Sequence, residues 1–299
     1  MDIPSPTPPK SSEPICSPSD GGTAFGCPRD FLENRFVYTV ISPRARGLTV
    51  GVNMNPDRRC NFDCVYCEVK RGEGPTELRL DPAVMRVELE RTLEWVQSGA
   101  IATRPCYGRA PAQLLQLQHV ALSGDGEPTH CPDFVAGVEA VVHLRACGRF
   151  PFFKFVLITN ASGLHRPEVQ EGLKHFTALD EIWAKLEAGT NGYMRRVNRP
   201  DILLEGVLSN ILLVARRRPV VIQSLFMAID GEAPPASEVE EYVQRLRELK
   251  AQGAQIPLVQ VYSASRPSPR SEYSHLPLRA LSSIAQRIRE VSGLRAEVY

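Results

Sequence analysis

Three cysteines fall within the stretch RRCNFDCVYCEVKRG, at Cys60, Cys64 and Cys67. Thiolates of this kind hold zinc or iron–sulfur clusters. A structural zinc ion closes its tetrahedron with four Cys or His ligands, and here the fourth would have to come from far along the chain, from His119 or His130. Three thiolates on one loop also suit a [4Fe–4S] cubane, with three irons held by sulfur and the fourth left for an exogenous ligand. A non-catalytic iron–sulfur or zinc protein, using the cysteines for structure or sensing, is the rival class.

A second stretch, ALSGDGEPTH, runs from Ala121 to His130. Its glycines let backbone come close to a ligand, and a carboxylate beside them can accept hydrogen bonds from an ammonium group. Alone, the same string reads equally well as a turn with a surface glutamate.

The cysteine spacing, with Tyr66 as the aromatic residue before the last cysteine, resembles the signature of the radical S-adenosylmethionine (SAM) enzymes. That resemblance implies one [4Fe–4S] cluster on Cys60, Cys64 and Cys67, with SAM chelating the open iron through its amino and carboxylate groups. It further implies reductive cleavage of SAM to methionine and a 5′-deoxyadenosyl radical, which abstracts a substrate hydrogen. By the same resemblance Gly124, Asp125, Gly126 and Glu127 receive the SAM amino group and Tyr66 shapes the adenine side. An electron donor such as flavodoxin or ferredoxin is implied as a partner.

The stretches LSGDGEPT, LITNAS, KLEAG, VNRP and QVYSASRP resemble, in order, the blocks of the wyosine-synthase-like iron–sulfur oxidoreductases. The chain departs from the tRNA enzyme of that group in three ways: no second cysteine set of convincing spacing is found, KLEAG differs from the corresponding strand, and the flavodoxin-like domain of the eukaryotic forms is absent from this sequence. The substrate is left open between a small molecule, a peptide and a tRNA.

The elements that must position these residues follow from alternating β-rich and amphipathic runs. Strands are expected over residues 47–54, 118–124, 152–159, 181–187, 219–227 and 257–263, with edge strands at 36–42 and 296–299. Helices are expected near 81–98, 133–146, 166–176, 202–217, 236–252 and 277–291, opened by signals such as Asp81-Pro82 and Ser237 ahead of Glu240. Six β-α units are too few for a closed eight-fold barrel, so the expected fold is α/β, a partial (β/α)6 TIM-like barrel with a parallel sheet. Site residues should then follow the strand ends.

Seven of the 25 prolines lie in the first 28 residues, so residues 1–33 are expected to be a flexible, disordered Pro/Ser-rich tail ahead of a core domain over 34–299. Hydrophobic residues make up 43% of the chain and the formal net charge is +1, which gives a core-forming composition and no bulk pull toward nucleic acid. Without an apolar span or a signal-like start, a cytoplasmic protein with no membrane association is expected.

Other strand ends supply further candidates. Thr159 and Asn160 offer hydroxyl and amide groups for ribose or a methionine carboxylate, or serve as a turn. Lys185 and Glu187 are charges in an apolar strand, which requires pairing with each other or exposure at the barrel mouth; Lys185 is also a candidate catalytic proton donor or Schiff-base amine. Gln260, Tyr262 and Arg266 are candidate substrate contacts. Arg216–Arg218 reads as a solvated helix end. Cys131 reads as a packed thiol, Cys16 and Cys27 as solvated thiols of the tail, and Cys106 and Cys147 carry no assigned role.

Overall fold

The computed structural model describes residues 31–69, 78–104, 107–108, 110–264 and 270–299. Cys16, Cys27, Cys106 and Arg266 lie outside the described residues. So does the expected tail up to residue 30, whereas Phe31–Glu33 form a 3-10 turn in which Phe31 is buried edge-on against Trp95.

In chain order the elements are β1 (Val37–Ser42), β2 (Gly47–Asn53), α1 (Pro82–Gln97), β3 (Leu117–Ser123), α2 (Phe134–Ala146), β4 (Lys154–Thr159), α3 (Pro167–Leu173), β5 (Glu181–Lys185), α4 (Asn191–Val197) and α5 (Leu204–Ala215). Then follow β6 (Val221–Leu225), β7 (Met227–Ile229), α6 (Ala236–Ala251), β8 (Val259–Tyr262), β9 (Tyr273–His275), α7 (Leu278–Ser292) and β10 (Ala296–Val298). All six expected inner strands and both edge strands are present. The short helix α4 and the two-stranded β7–β9 pair were not anticipated.

Eight strands form one sheet in the order β1-β2-β3-β4-β5-β6-β8-β10, parallel throughout except for β1 against β2. This is the partial TIM-like barrel. Strand alternation divides the side chains: Val120 and Leu122 join the large core under the helices, while Ala121 packs inside the curl with Val156, Trp183 and Val221. The sheet does not close, yet the β1–β2 hairpin reaches toward its far end. There the Arg44 guanidinium lies 4.2 Å over the Tyr262 ring and Arg46 meets Glu297 at 3.5 Å.

Buried carboxylates tie elements together. Glu88 on α1 accepts from the backbone N–H groups of Arg35 (2.8 Å), Phe36 (2.8 Å) and Val37 (3.2 Å), which fixes the start of the antiparallel edge strand. Asp180 receives both guanidinium nitrogens of Arg145 at 2.6 and 2.9 Å. Asp81 caps α1 as expected, accepting from Ala83 and Val84. Ser237 does not cap α6: Pro235 occupies the cap position, and Ser237 falls inside the first turn. Arg218 is not a solvated cation, because its guanidinium donates to the carbonyls of Leu173, Phe176 and Thr177. Among the described residues no helix is long and apolar enough to cross a membrane.

His119 sits inside the curl, edge-on to Trp183 at 5.5 Å. Burial lowers its pKa from 6.5 to about 4. Over that interval the unfolded chain binds a proton that the folded chain does not, so His119 costs stability as pH falls from about 6.5 to about 4. The loss approaches about 3 kcal/mol and then levels off. The expected result is that His119→Gln loses less stability than wild type across this interval, read as the difference in urea midpoints between pH 7 and pH 4.

Candidate active site

The cysteine loop follows β2 and is held by backbone pairing to the end of α4. Val65 N–H donates to the Val197 carbonyl (2.9 Å) and Asp63 N–H to the Asn198 carbonyl (3.1 Å), and Phe62 bridges Pro200. The turn itself closes by Cys67 N–H on the Cys64 carbonyl at 2.9 Å. Thr190 caps α4 and is in turn gripped by Glu238, which accepts from the N–H groups of Gly189 and Thr190 and from the Thr190 hydroxyl.

The second motif packs directly on the first. Asn53, the last residue of β2, accepts the Asp125 N–H at 3.0 Å. Gly124 has φ +132, and a side chain there would collide with Asn53. A Cβ at Gly126 would collide with the Arg59 carbonyl, immediately before Cys60, and with Asn55. Gly126→Ala is therefore expected to displace the cysteine loop and lower iron retained after anaerobic reconstitution several-fold, measured as iron and sulfide per chain.

Cys60, Cys64, Tyr66, Cys67, Gly124, Asp125, Gly126, Asn160 and Lys185 line one cavity of about 310 Å³, together with Arg44, Gln223, Tyr262 and Tyr299 among others. Its walls are the C-terminal ends of successive strands, where parallel α/β folds bind ligands. Glu127, Thr159 and Glu187 lie behind this wall, fully buried. Glu127 accepts from the Thr129 N–H (3.1 Å) and hydroxyl (2.6 Å), the Thr159 hydroxyl (2.5 Å) and the Asn160 N–H (2.7 Å). Its carboxylate thus joins the ends of β3 and β4.

Lys185 and Glu187 come together through a third group. The Lys185 ammonium donates to the Tyr66 hydroxyl (3.0 Å), which donates to Glu187 Oε2 (2.5 Å); the direct Nζ–Oε1 separation is 3.9 Å. Burial alone would lower the Lys185 pKa, but the negative charge of Glu187 outweighs it and holds the ammonium above its ordinary value. Lys185 therefore presents a positive charge to the cavity rather than a free amine.

The sulfur atoms have donors. Cys60 Sγ accepts from the Phe62 N–H (3.4 Å) and the Asn160 amide (3.8 Å), and Cys64 Sγ from the Asn198 amide (3.5 Å). Burial pushes the Cys64 thiol up to about 12, so without a metal to stabilise the thiolate it stays protonated. Among the described residues no three His, Cys, Asp or Glu side chains converge on a single-ion site. His130 instead meets the Ser162 hydroxyl (3.1 Å) and His119 lies deeper inside the curl, so neither completes a zinc tetrahedron. A cubane places each of its thiolates on a different iron, and three cysteines facing one cavity with amide donors behind them fit that group.

Sequence reasoning gave no role to Asn53 or Asn198, whose short polar side chains at a strand end and after a helix read as turn residues. Of the further candidates, Tyr262 lines the cavity, while Gln260 is buried and accepts from Gln223 at 3.0 Å. Cys131 is buried with a thiol pushed up to about 12 by burial, and Cys147 is exposed.

No family model matches the chain. UPF0026 proteins of Helicobacter pylori (strain J99) and Synechocystis are 27% and 25% identical over 182 and 181 residues, 58% of this chain in each case, and 51% and 57% of their own lengths. The chain spans about half the length of the curated relatives it matches. In fold it is similar to TYW1 with a lysine–pyruvate adduct bound (TM-score 0.55, 15% identity, 83% of this chain and 74% of that one). Streptococcus suis SuiB bound to S-adenosylmethionine gives 0.55 at 15% identity, covering 81% and 48%, and spore photoproduct lyase gives 0.52 at 10%, covering 89% and 79%. Motif resemblance and architecture agree: this chain has the partial-barrel fold of the radical SAM enzymes.

Proposed function

We propose that the protein is a radical SAM enzyme in which Cys60, Cys64 and Cys67 bind one [4Fe–4S] cluster. The observation that carries this reading is the convergence of the three cysteines, the Gly124–Gly126 backbone, Asn160 and Lys185 on one cavity. When bound and reduced by a donor such as flavodoxin or ferredoxin, the cluster supplies the electron that cleaves SAM and yields a 5′-deoxyadenosyl radical.

The chain's own residues hold and orient the cosubstrate. The backbone over Gly124–Gly126 lines the cavity while its glycines pack against Asn53, Asn55 and the Arg59 carbonyl with no room for a side chain, and Asn160 offers a polar side chain at the end of β4. The Lys185 cation suits a carboxylate. Glu127 acts from behind, fixing Asn160 through its backbone, and Tyr66 is held by Lys185 and Glu187 so that its ring stays at the cavity wall. The surrounding strand ends exclude water and competing quenchers.

SuiB has been captured with its precursor peptide and TYW1 with a lysine–pyruvate adduct, so the shared fold accommodates different occupants. The substrate here is a small molecule, a peptide or a tRNA. The test is anaerobic reconstitution with iron and sulfide, then reductant and SAM, scoring 5′-deoxyadenosine by mass spectrometry with and without cell extract. Product that depends on SAM and reductant is expected, stimulated by the extract fraction holding the substrate. An iron-loaded protein that never cleaves SAM would return the chain to the non-catalytic class.

A further inference from the structure

We infer that Asn198 is a positioning residue that sets the reduction potential of the cluster through the Cys64 sulfur, and that Glu187 aims it. This rests on the cluster reading above.

Asn198 follows α4 within the VNRP stretch and is buried. Its side-chain amide donates at once to Cys64 Sγ (3.5 Å) and to Glu187 Oε2 (2.5 Å). An amide carries two N–H bonds, so one can be spent on the carboxylate while the other faces sulfur. The carboxylate is fixed in its turn: Glu187 Oε2 also receives the Tyr66 hydroxyl, and Tyr66 receives Lys185. Rotating the amide away from sulfur would therefore break its charge-assisted hydrogen bond to Glu187 Oε2.

The backbone keeps the amide in place independently of its chemistry. Asn198 N–H caps α4 on the Met194 carbonyl at 2.7 Å, and its own carbonyl receives the Asp63 N–H from the cysteine loop. Changing the side chain thus leaves the tie between α4 and that loop standing. What it removes is a donor to a ligand sulfur.

Reduction adds negative charge to the cluster and its thiolates, and a hydrogen bond to sulfur stabilises the charge-rich state more than the oxidised one. Losing the donor must make reduction harder. The expected change is roughly tenfold in the reduction equilibrium, about 59 mV for one electron, set by how much the bond strengthens on reduction.

The experiment compares the reconstituted wild type, Asn198→Leu and Asn198→Ser in a dithionite titration followed by electron paramagnetic resonance, with iron and sulfide counted per chain. Both substitutions are expected to load iron as wild type does and to show a midpoint more negative by about one tenfold step. Loaded variants with the wild-type midpoint would overturn the inference while leaving the cluster reading intact. Failure of both variants to load beside a loaded wild type would make Asn198 a loop-holding residue and overturn the tuning role. A wild type that never loads would overturn the cluster reading itself.

Discussion

Replacing Cys64 with alanine is expected to leave the purified protein without its iron–sulfur chromophore after anaerobic reconstitution, and to bring 5′-deoxyadenosine formation down to the background without enzyme. The fold should survive. In the metal-free chain the Cys64 thiol is a buried, protonated group in the hydrophobic core, and its own contribution is that of a small apolar side chain. Removing the sulfur deletes one heavy atom, at a cost of about 1–2 kcal/mol. A far-ultraviolet spectrum and urea midpoint near those of wild type, together with lost iron, would separate a ligand from a structural thiol. Cys131→Ala supplies the contrast, since Cys131 is similarly buried and similarly protonated but lies outside the cavity that holds the three cysteines. Iron content and product formation unchanged in Cys131→Ala, and both lost in Cys64→Ala, is the expected pair. Retained SAM cleavage in Cys64→Ala would remove the three-cysteine cluster from the account.

The second large effect is on stability. Glu127→Ala is expected to destabilise the protein by about 3–5 kcal/mol, because it strips a buried acceptor from four buried donors. Two of those donors are backbone N–H groups, at Thr129 and Asn160, which cannot turn elsewhere for a partner. Glu127→Gln keeps the shape and one acceptor oxygen, yet presents an amide NH2 toward groups that themselves donate. A smaller loss of about 1–3 kcal/mol is expected. Urea unfolding of the metal-free protein checks both, and makes the result independent of SAM. A carboxylate whose role was only to receive the SAM amino group would leave metal-free stability at the wild-type value and weaken SAM binding alone.

Much of this architecture is written in local patterns. The alternation of β-rich and amphipathic runs locates the six inner strands, and the cysteine spacing with Tyr66 locates the loop after the first of them. Asp81 ahead of Pro82 announces the cap of α1 because capping is a matter of a few adjacent residues. Helix α4 was not legible: seven residues with two arginines and a glycine carry too short a period to stand out, and its stability comes from the Thr190–Glu238 grip and from the cysteine loop paired on its end.

The site divides in the same way. Sequence by itself determined which chemistries are present: three thiols, a glycine-rich loop with carboxylates, and a lysine and glutamate two positions apart, the lysine closing β5 and the glutamate just beyond it. Only the tertiary structure decided which of these face the cavity and which stand behind it. Glu127 and Glu187 are both acidic residues near strand ends, but each is held behind the wall by donors that include groups from distant elements, Thr159 and Asn160 for one and Tyr66 and Asn198 for the other, while Lys185 remains on the cavity wall. Asn198 reaches Cys64 across 134 positions. Hydrogen bonds between residues so far apart leave no trace in spacing or periodicity, because they are made by the curl of the sheet, which brings separate strand ends to one mouth.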